Sequence, residues 1–403
     1  MSDKRIFLGN VVLPDRVLSR SAVLTDNGRI AAVGAVKEIE QRAGPEAIRV
    51  DAGDGYIAPG YVDLHCHGGR GADFMDGTEE AFRTALAAHA RHGTTSICPT
   101  TTVARHDQIL RVLELCRQFR KQRPASVPRV LGAHFYGPYF NYEARGAHPG
   151  KEVRDPRPEE YEQYLEYADA ITNATVAPEL SGAEAFARAC AANGIRTNAG
   201  HTHATFDQMA AAVRWGVRHV DHLYCAMSDK TKLRQKRTYP MQGGVLEATL
   251  YFDELTTEVI ADGKHLSADL LLLALKLKGP DRLALVTDCN RALDMPDGRY
   301  LIGPLDGGEP LERRDNVGIM PGGTGLASSV MGMDHMVRTF AELTARPLWE
   351  VIRMATLTPA CIAGWDREIG SLEAGKRADV LVLDRELNVR EVYIEGRRQE
   401  AIH

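Results

Sequence analysis

From residue 61 onward the chain alternates between short apolar runs and longer amphipathic segments, and few folds accommodate that alternation. The apolar runs are typical of β-strands and lie at residues 61–67, 95–101, 129–137, 173–180, 196–201, 219–224, 258–262 and 283–288. Helical patterns separate several of them, for example at 78–92 and 205–215. Strands that alternate with helices indicate a parallel sheet. Eight such units over about 250 residues are the size of a (β/α)₈ TIM barrel.

The two ends of the chain differ from this middle part. Residues 4–57 contain short strand-like runs, with a hairpin signal at Asp26-Asn27-Gly28. Strand-like runs return at 378–383 and 392–395. We therefore predict an α/β protein in which residues 58–365 form the barrel, and residues 1–57 and 366–403 together form a small β-sandwich domain.

Composition argues against several classes of function. The formal net charge is −5, which does not favour a nucleic-acid partner or an anionic membrane surface. No run approaches the roughly 18 apolar residues of a membrane helix, and the N-terminus lacks the apolar stretch of a signal peptide. The seven cysteines contain no Cys-x-x-Cys pair, which fits a reduced compartment. We expect a cytoplasmic protein.

Residues able to bind a metal ion stand at the ends of four predicted strands. Strand one ends in His65-Cys66-His67, strand five ends in His201, strand six carries His222 and strand eight ends in Asp288. Because side chains alternate along a strand, the two histidines of a His-x-His face the same side and can hold one cation. Active sites of TIM barrels lie at the carboxyl ends of the strands. The arrangement therefore predicts a metal site.

The same arrangement is the pattern of the amidohydrolase superfamily, and longer motifs resemble the N-acetylglucosamine-6-phosphate deacetylases. These motifs lie at residues 59–69, 177–179, 199–205, 222–227, 260–265, 285–288, 354–360 and 370–379. The resemblance covers nearly the whole chain. It implies a metal-dependent hydrolase that removes the N-acetyl group of an amino-sugar phosphate, giving glucosamine 6-phosphate and acetate. It also implies a homodimer.

The resemblance further assigns roles to individual residues. It implies one or two divalent ions, with zinc favoured and iron, manganese and cobalt suited to similar sites. The implied metal ligands are His65, His67, His201, His222 and Asp288. Asp288 would also move the proton from water to the leaving amine, and His148 would stabilise the oxyanion. The implied substrate contacts are His148, Cys225, Ala226, Arg234, Arg237 and His265.

Strand three departs from the family at a metal ligand. The family ends this strand in His-Leu-Glu-Gly-Pro, whereas this chain has Tyr136 at the position of the glutamate. A neutral phenol is a poorer ligand than a carboxylate, but a strongly charged site could lower the pKa of Tyr136 and recruit it as a metal ligand. Three interpretations follow: the metal shifts toward His65, His67 and Asp288 while Tyr136 donates a hydrogen bond, Glu179 supplies the missing carboxylate, or the site binds metal weakly. We favour the first.

A second departure affects the expected phosphate contact. The family has an asparagine that helps to hold the substrate phosphate, and this chain has Cys225 there, a weak hydrogen-bond donor. The basic run at residues 230–237 follows, and either Arg234 or Arg237 could bind phosphate as a bidentate fork. Two alternative functions therefore stay open: an amidohydrolase that acts on another N-acyl or cyclic amide substrate, and a non-catalytic barrel that serves as a scaffold.

Overall fold

The computed structural model describes residues 4–125, 127–236 and 239–399. Its strands are β1 (Arg5–Val12), β2 (Val17–Asp26), β3 (Arg29–Ala35), β4 (Ile48–Pro59), β5 (Tyr61–Cys66), β6 (Gly68–Gly69), β7 (Ala72–Asp73), β8 (Thr94–Pro99), β9 (Arg129–Val130), β10 (Ala133–Phe135), β11 (Ile171–Val176), β12 (Arg196–Ala199), β13 (Val217–Val220), β14 (Thr256–Ile260), β15 (Leu283–Val286), β16 (Gly298–Ile302), β17 (Glu309–Arg314), β18 (Val317–Ile319), β19 (Leu326–Ser329), β20 (Val380–Leu383), β21 (Val389–Ile394) and β22 (Arg397–Arg398).

Its helices are α1 (Val36–Ala43), α2 (Glu79–Arg91), α3 (His106–Lys121), α4 (Pro158–Leu165), α5 (Ala183–Ala192), α6 (Phe206–Trp215), α7 (Lys230–Lys236), α8 (Val245–Tyr251), α9 (Ala268–Lys278), α10 (Met333–Thr344), α11 (Leu348–Ala355) and α12 (Leu357–Ala363). Within the described ranges, none of them has both the length and the apolar character that a membrane crossing requires.

Each predicted strand run of the middle part overlaps at least one strand in two parallel sheets. One sheet has the order β10-β11-β12-β13-β14-β15 and the other the order β5-β8-β9. Isolated parallel bridges, Thr100 with His134 and Cys66 with Cys289, link the two sheets. Strands such as β15 are buried along their whole length, as expected when helices cover the outer face of a parallel sheet. The chain therefore has a TIM-barrel-type α/β fold.

The third predicted strand is interrupted. Residues 129–137 form β9 and β10 with a break at Gly132, which has a φ of +141°. A Cβ atom at this position would lie 2.4 Å from the hydroxyl oxygen of Thr172. The close approach of the neighbouring strand therefore requires glycine here, and the break precedes the segment that carries His134 and Tyr136.

The chain ends pair into a single sheet of the order β22-β21-β20-β4-β1-β2-β3. The predicted hairpin is confirmed, because Asp26 pairs with Arg29 across the turn. The two facing sheets of a β-sandwich are not confirmed. Helix α1 was not predicted: it has only eight residues, and just Ile39 and Ala43 are buried in it, too few for a helical periodicity to stand out from the strand-like runs around it.

A four-stranded antiparallel sheet, β16-β17-β18-β19, lies between β15 and α10 and was also not predicted. Arg314 pairs with Val317, so Asp315 and Asn316 form a two-residue turn. Both have positive φ values, 54° and 61°, which is the type I′ geometry that suits a hairpin. We call residues 298–329 the antiparallel insertion.

A buried ion-pair network joins the sheet of the chain ends to the parallel strands. Arg129 donates to Asp379 Oδ2 at 2.8 Å and to Glu395 Oε1 at 2.9 Å. Arg129 is 7% exposed and Asp379 is 4% exposed. Arg123 and Arg377 also contact Glu395. Removing one member of a buried pair leaves the other charge without compensation.

We expect Arg129→Met to lower the free energy of unfolding by about 3–5 kcal/mol, because Asp379 would keep its burial and lose its partner. Urea denaturation measures this difference. Arg16→Met is the matched control, since Arg16 pairs with Asp15 at the exposed surface and such pairs contribute little. A loss for Arg129→Met no larger than that of the control would contradict the role given to the network.

Candidate active site

A cavity of about 530 Å³ opens at the carboxyl ends of the parallel strands. Five of the polar side chains that line it follow a strand of the parallel sheets by one or two residues. They are His67 after β5, Tyr136 after β10, His201 after β12, His222 after β13 and Asp288 after β15. Residues of the antiparallel insertion, including Met320 and Leu326, line another part of the cavity. The position agrees with where TIM barrels place their active sites.

His65, His67 and Asp288 form one buried group of donor atoms. The Nε2 atom of His67 lies 3.2 Å from Asp288 Oδ1, and that of His65 lies 3.6 Å from the same oxygen. The two histidines face the same side of the chain because they are two residues apart at the end of β5. The spacing allows all three side chains to contact one small cation.

The chemistry of this group fits a divalent cation. The Nε2 atom of His65 is buried and has no hydrogen-bond partner within the described part of the chain, which is unusual for a buried polar atom. Burial alone would raise the pKa of Asp288, but His65 and His67 lower it well below its usual range. Two imidazole nitrogens and an ionised carboxylate are ligands that zinc and similar metals accept.

His201 and His222 form a second pair of donors, and Tyr136 lies between them. Their Nε2 atoms are 3.3 Å apart. The phenol oxygen of Tyr136 lies 2.7 Å from His222 Nε2 and is also hydrogen-bonded to His201 Nε2. All three residues are buried.

The hydrogen bonds of this second group are consistent with neutral side chains. His201 Nδ1 donates to the carbonyl oxygen of Ala144 at 2.7 Å, so its Nε2 is left to accept from the phenol. The phenol oxygen in turn accepts from His222 Nε2. Burial, with His148 and His222 nearby, lowers the pKa of His201 well below its usual value. Burial, with Asp288 nearby, raises that of Tyr136 well above its usual value.

The phenol oxygen lies close to both of the nitrogens that would hold a shared ion. Two ligand atoms of a tetrahedral zinc, each about 2.0–2.1 Å from it, are about 3.3 Å apart. His201 and His222 have this spacing, but the oxygen of Tyr136 is closer to His222 than a third ligand would be. The phenol is hydrogen-bonded directly to both nitrogens.

Three of the strand-end residues have strained backbones. The φ values are +45° for His201, +25° for His222 and +46° for Asp288. Positive φ costs a residue other than glycine on the order of 1–3 kcal/mol, and such residues concentrate at functional sites. The backbone N–H of Asp288 donates to the carbonyl oxygen of His65 at 2.8 Å, so the neighbouring strand helps to hold this conformation.

The two histidines predicted to contact the substrate both line the cavity. His148 is 5% exposed, and none of the residues that the structure describes is hydrogen-bonded to its Nδ1 atom. Burial, with His67 and His222 nearby, lowers the pKa of His148 well below its usual value, so the ring is neutral. His265 is held by Asp262, whose Oδ2 lies 2.8 Å from its Nδ1.

Only some of the residues predicted to contact the phosphate lie at the cavity. Cys225 and Ala226 line it, and burial, with Asp288 and Asp262 nearby, raises the pKa of the Cys225 thiol to about 12. Arg234 is exposed on α7 and does not line the cavity, so the prediction that it contacts the substrate is not supported. Arg237 lies outside the described residues.

Glu179 has a structural role instead of supplying a ligand. It accepts hydrogen bonds from Asn141 Nδ2 at 2.9 Å and from the backbone N–H of His203 at 2.6 Å, and it also contacts Thr202. These bonds join the loop after β10 to the loop after β12. Its carboxylate is therefore engaged away from the candidate metal group.

Two residues of the site were not singled out from the sequence. Lys232, on α7, is the only lysine or arginine among the described residues that line the cavity, and it was hidden within a basic run. Glu258, on β14, lies 2.5 Å from His65. A charged residue inside a buried strand needs a partner, which was the available signal for Glu258.

Comparison with known proteins agrees with this geometry. Residues 56–398 match the amidohydrolase family. An N-acetylgalactosamine-6-phosphate deacetylase of Escherichia coli O157:H7 is 33% identical over 96% of this chain and 98% of its own length. An N-acetylglucosamine-6-phosphate deacetylase of Vibrio furnissii is 29% identical over 100% and 98%. A mutant N-acetyl-D-glucosamine-6-phosphate deacetylase of Mycobacterium smegmatis, solved in complex with N-acetyl-D-glucosamine-6-phosphate, is 29% identical, with a TM-score of 0.87 and coverage of 98% and 99%.

Proposed function

Because this chain belongs to the amidohydrolase family and, within it, to the family of N-acetylglucosamine-6-phosphate deacetylases, we propose that it hydrolyses the N-acetyl amide of an amino-sugar 6-phosphate. The products are acetate and the free amino-sugar phosphate. The observation that carries the proposal is the group formed by His65, His67 and Asp288 at the cavity. The chain also matches deacetylases along nearly their whole length.

The proposed cofactor is a single divalent cation, with zinc favoured, held by His65, His67 and Asp288. When bound, such an ion acidifies water and polarises the amide carbonyl. This proposal retains the first interpretation of Tyr136. In place of a second metal ion, its phenol lies between His201 and His222. These two histidines then serve the site as neutral groups that fix the phenol.

Asp288 moves the proton in this proposal. Its carboxylate is ionised at neutral pH, so it accepts a proton from the attacking water. It then delivers that proton to the amide nitrogen, which leaves poorly until it is protonated. The neutral His148, which lines the same cavity, donates a hydrogen bond to the oxygen that becomes negative when the carbonyl carbon turns tetrahedral.

Lys232 is the proposed partner of the substrate phosphate. Its Nζ donates to the carbonyl oxygen of Met227 at 2.7 Å, which fixes the ammonium group beside Cys225 and Ala226 and leaves two of its protons for a ligand. Lysine binds phosphate as a point charge. It therefore supplies the positive charge that Cys225 does not.

We expect Lys232→Met to raise KM for the 6-phosphate substrate by about 10–100-fold, since a hydrogen bond to a charged group contributes about 1.5–3 kcal/mol. The value of kcat should change little because Lys232 has no part in the proposed proton transfer. Steady-state kinetics measure both. Arg234→Met, on the same helix but outside the cavity, is the control and should keep its KM. Equal effects of the two variants would refute the assignment.

A second candidate substrate, which differs in the stereochemistry of the sugar, also has specific support. One relative acts, by its name, on N-acetylgalactosamine 6-phosphate and is 33% identical, while another is named for the glucosamine compound. Acetate release from both phosphates and from unphosphorylated N-acetylglucosamine tests the proposal. Rapid release from either phosphate supports it. Release from neither, together with bound metal, would indicate another N-acyl or cyclic amide substrate.

The proposal includes the predicted architecture. We treat the two parallel sheets as one closed (β/α)₈ barrel at residues 58–365, since isolated bridges join the end of β8 to β10 and the end of β5 to the segment after β15. We keep residues 1–57 and 366–403 as a small β domain. The homodimer stays a prediction from the family.

A further inference from the structure

Glu258 lies behind the candidate metal ligands, on β14, and is 1% exposed. We infer that Glu258 is a positioning residue. It fixes the tautomer of His65 and the backbone conformation of His222, and so keeps the two histidine groups of the site in their relative positions. The inference rests on the proposed function because it concerns the same metal site. It adds a residue that neither touches the substrate nor binds the ion.

The first contact fixes His65. Oε1 of Glu258 lies 2.5 Å from His65 Nδ1, and both side chains are inaccessible to solvent. An ionised carboxylate only accepts hydrogen bonds, so Nδ1 of His65 must carry the proton. When the ring is neutral, its lone pair is therefore on Nε2, the atom that faces Asp288 and has no hydrogen-bond partner among the described residues. A carboxylate behind a metal-binding histidine also makes the ring a stronger ligand.

The second contact reaches the other half of the site. The same Oε1 accepts a hydrogen bond from the backbone N–H of His222 at 3.2 Å. The carbonyl oxygen of Glu258 accepts another from the backbone N–H of Leu223 at 2.8 Å. His222 has a φ of +25°, a conformation that needs support from its surroundings. Glu258 therefore holds the turn that directs His222 toward Tyr136.

A third contact fixes the carboxylate itself. Its Oε2 lies 3.1 Å from Nε2 of His219, whose Nδ1 lies 2.8 Å from the hydroxyl oxygen of Thr256. His219 is also buried. Rotation of the Glu258 carboxylate would break this contact together with those to His65 and His222. Glu258 does not line the cavity, so its effect on the reaction must pass through the residues that it holds.

The test uses Co²⁺ as the probe, with the full-length protein. In Glu258→Gln, an amide replaces the purely accepting carboxylate and competes with the required tautomer of His65. We expect its affinity for Co²⁺, measured by competition with a chelator, to fall by about 10–100-fold, and the visible absorption of bound Co²⁺ to change. We also expect kcat to fall while KM stays nearly unchanged. Unaltered Co²⁺ affinity and absorption in the folded variant would overturn the inference.

Two further variants separate positioning from general stability. Asp379→Asn removes a buried carboxylate in the Arg129 network, and it should destabilise the protein without changing the affinity for Co²⁺. If Glu258→Gln does not fold, His219→Asn serves in its place and should weaken Co²⁺ binding by a smaller factor; unchanged binding would again overturn the inference. A wild-type protein that binds Co²⁺ but releases no acetate would refute the proposed function, and the affinity comparison would still decide the role of Glu258.

Discussion

Asp288→Asn is expected to lower kcat by at least about 10³-fold, because a general base and acid contributes about 10²–10⁴-fold and this residue also belongs to the proposed metal group. An amide cannot accept the proton of water at neutral pH. The cavity keeps its shape, since asparagine has the same size. Titration calorimetry with N-acetylglucosamine 6-phosphate should therefore still detect binding.

The control for this variant is Asp294→Asn. Asp294 follows the same strand but pairs with His92 and Arg91 outside the cavity, so its loss should leave kcat nearly unchanged. Metal content is measured for both variants. An Asp288→Asn protein whose kcat stays within about tenfold of the wild type would rule out Asp288 as the group that moves the proton.

Tyr136→Glu is expected to raise the number of bound divalent ions from one to two per chain. The carboxylate would add an anionic ligand beside His201 and His222, whose Nε2 atoms already have the spacing of two zinc ligands. It would also remove the phenol that now occupies that position. Elemental analysis after equilibration with excess Zn²⁺ measures the change.

Two companion variants test this explanation. Tyr136→Phe removes the hydroxyl without adding a carboxylate, and it should keep a single ion. His201→Ala combined with Tyr136→Glu should return the number of bound ions to one per chain, because a ligand of the second ion is lost. Two ions in the wild-type protein would show that the phenol does not exclude the second ion, and so would an unchanged count in Tyr136→Glu.

The sequence predicted those parts of the fold whose signal is local. The runs of the parallel strands, such as β15, stand out because burial on both faces makes them continuously apolar. Helix α6 stands out because Thr205 and Gln208 form a reciprocal N-terminal cap. The antiparallel insertion lacks such contrast, since most residues of β16 and β17 are partly exposed. Its type I′ turn was the usable signal.

Some parts of the candidate site could likewise be predicted from the sequence, and others could not. His65, His67, His201, His222 and Asp288 were identified because each stands at the end of a predicted strand. The hydrogen bonds of Tyr136 to two histidines could not be predicted, since they depend on how three strand ends converge. The contact between Glu258 and His65 spans 193 residues, and a single sequence carries no record of such a pairing. Lys232 was one of several basic residues on α7, and only the fold distinguishes it.

The decisive measurement for zinc-dependent deacetylation is acetate release from N-acetylglucosamine 6-phosphate by protein that is first stripped of metal with a chelator and then titrated with Zn²⁺. We expect no release from the stripped protein and full recovery at one equivalent per chain. Undiminished release from the metal-free protein, or no release from the zinc-loaded protein with either amino-sugar phosphate, would contradict this expectation.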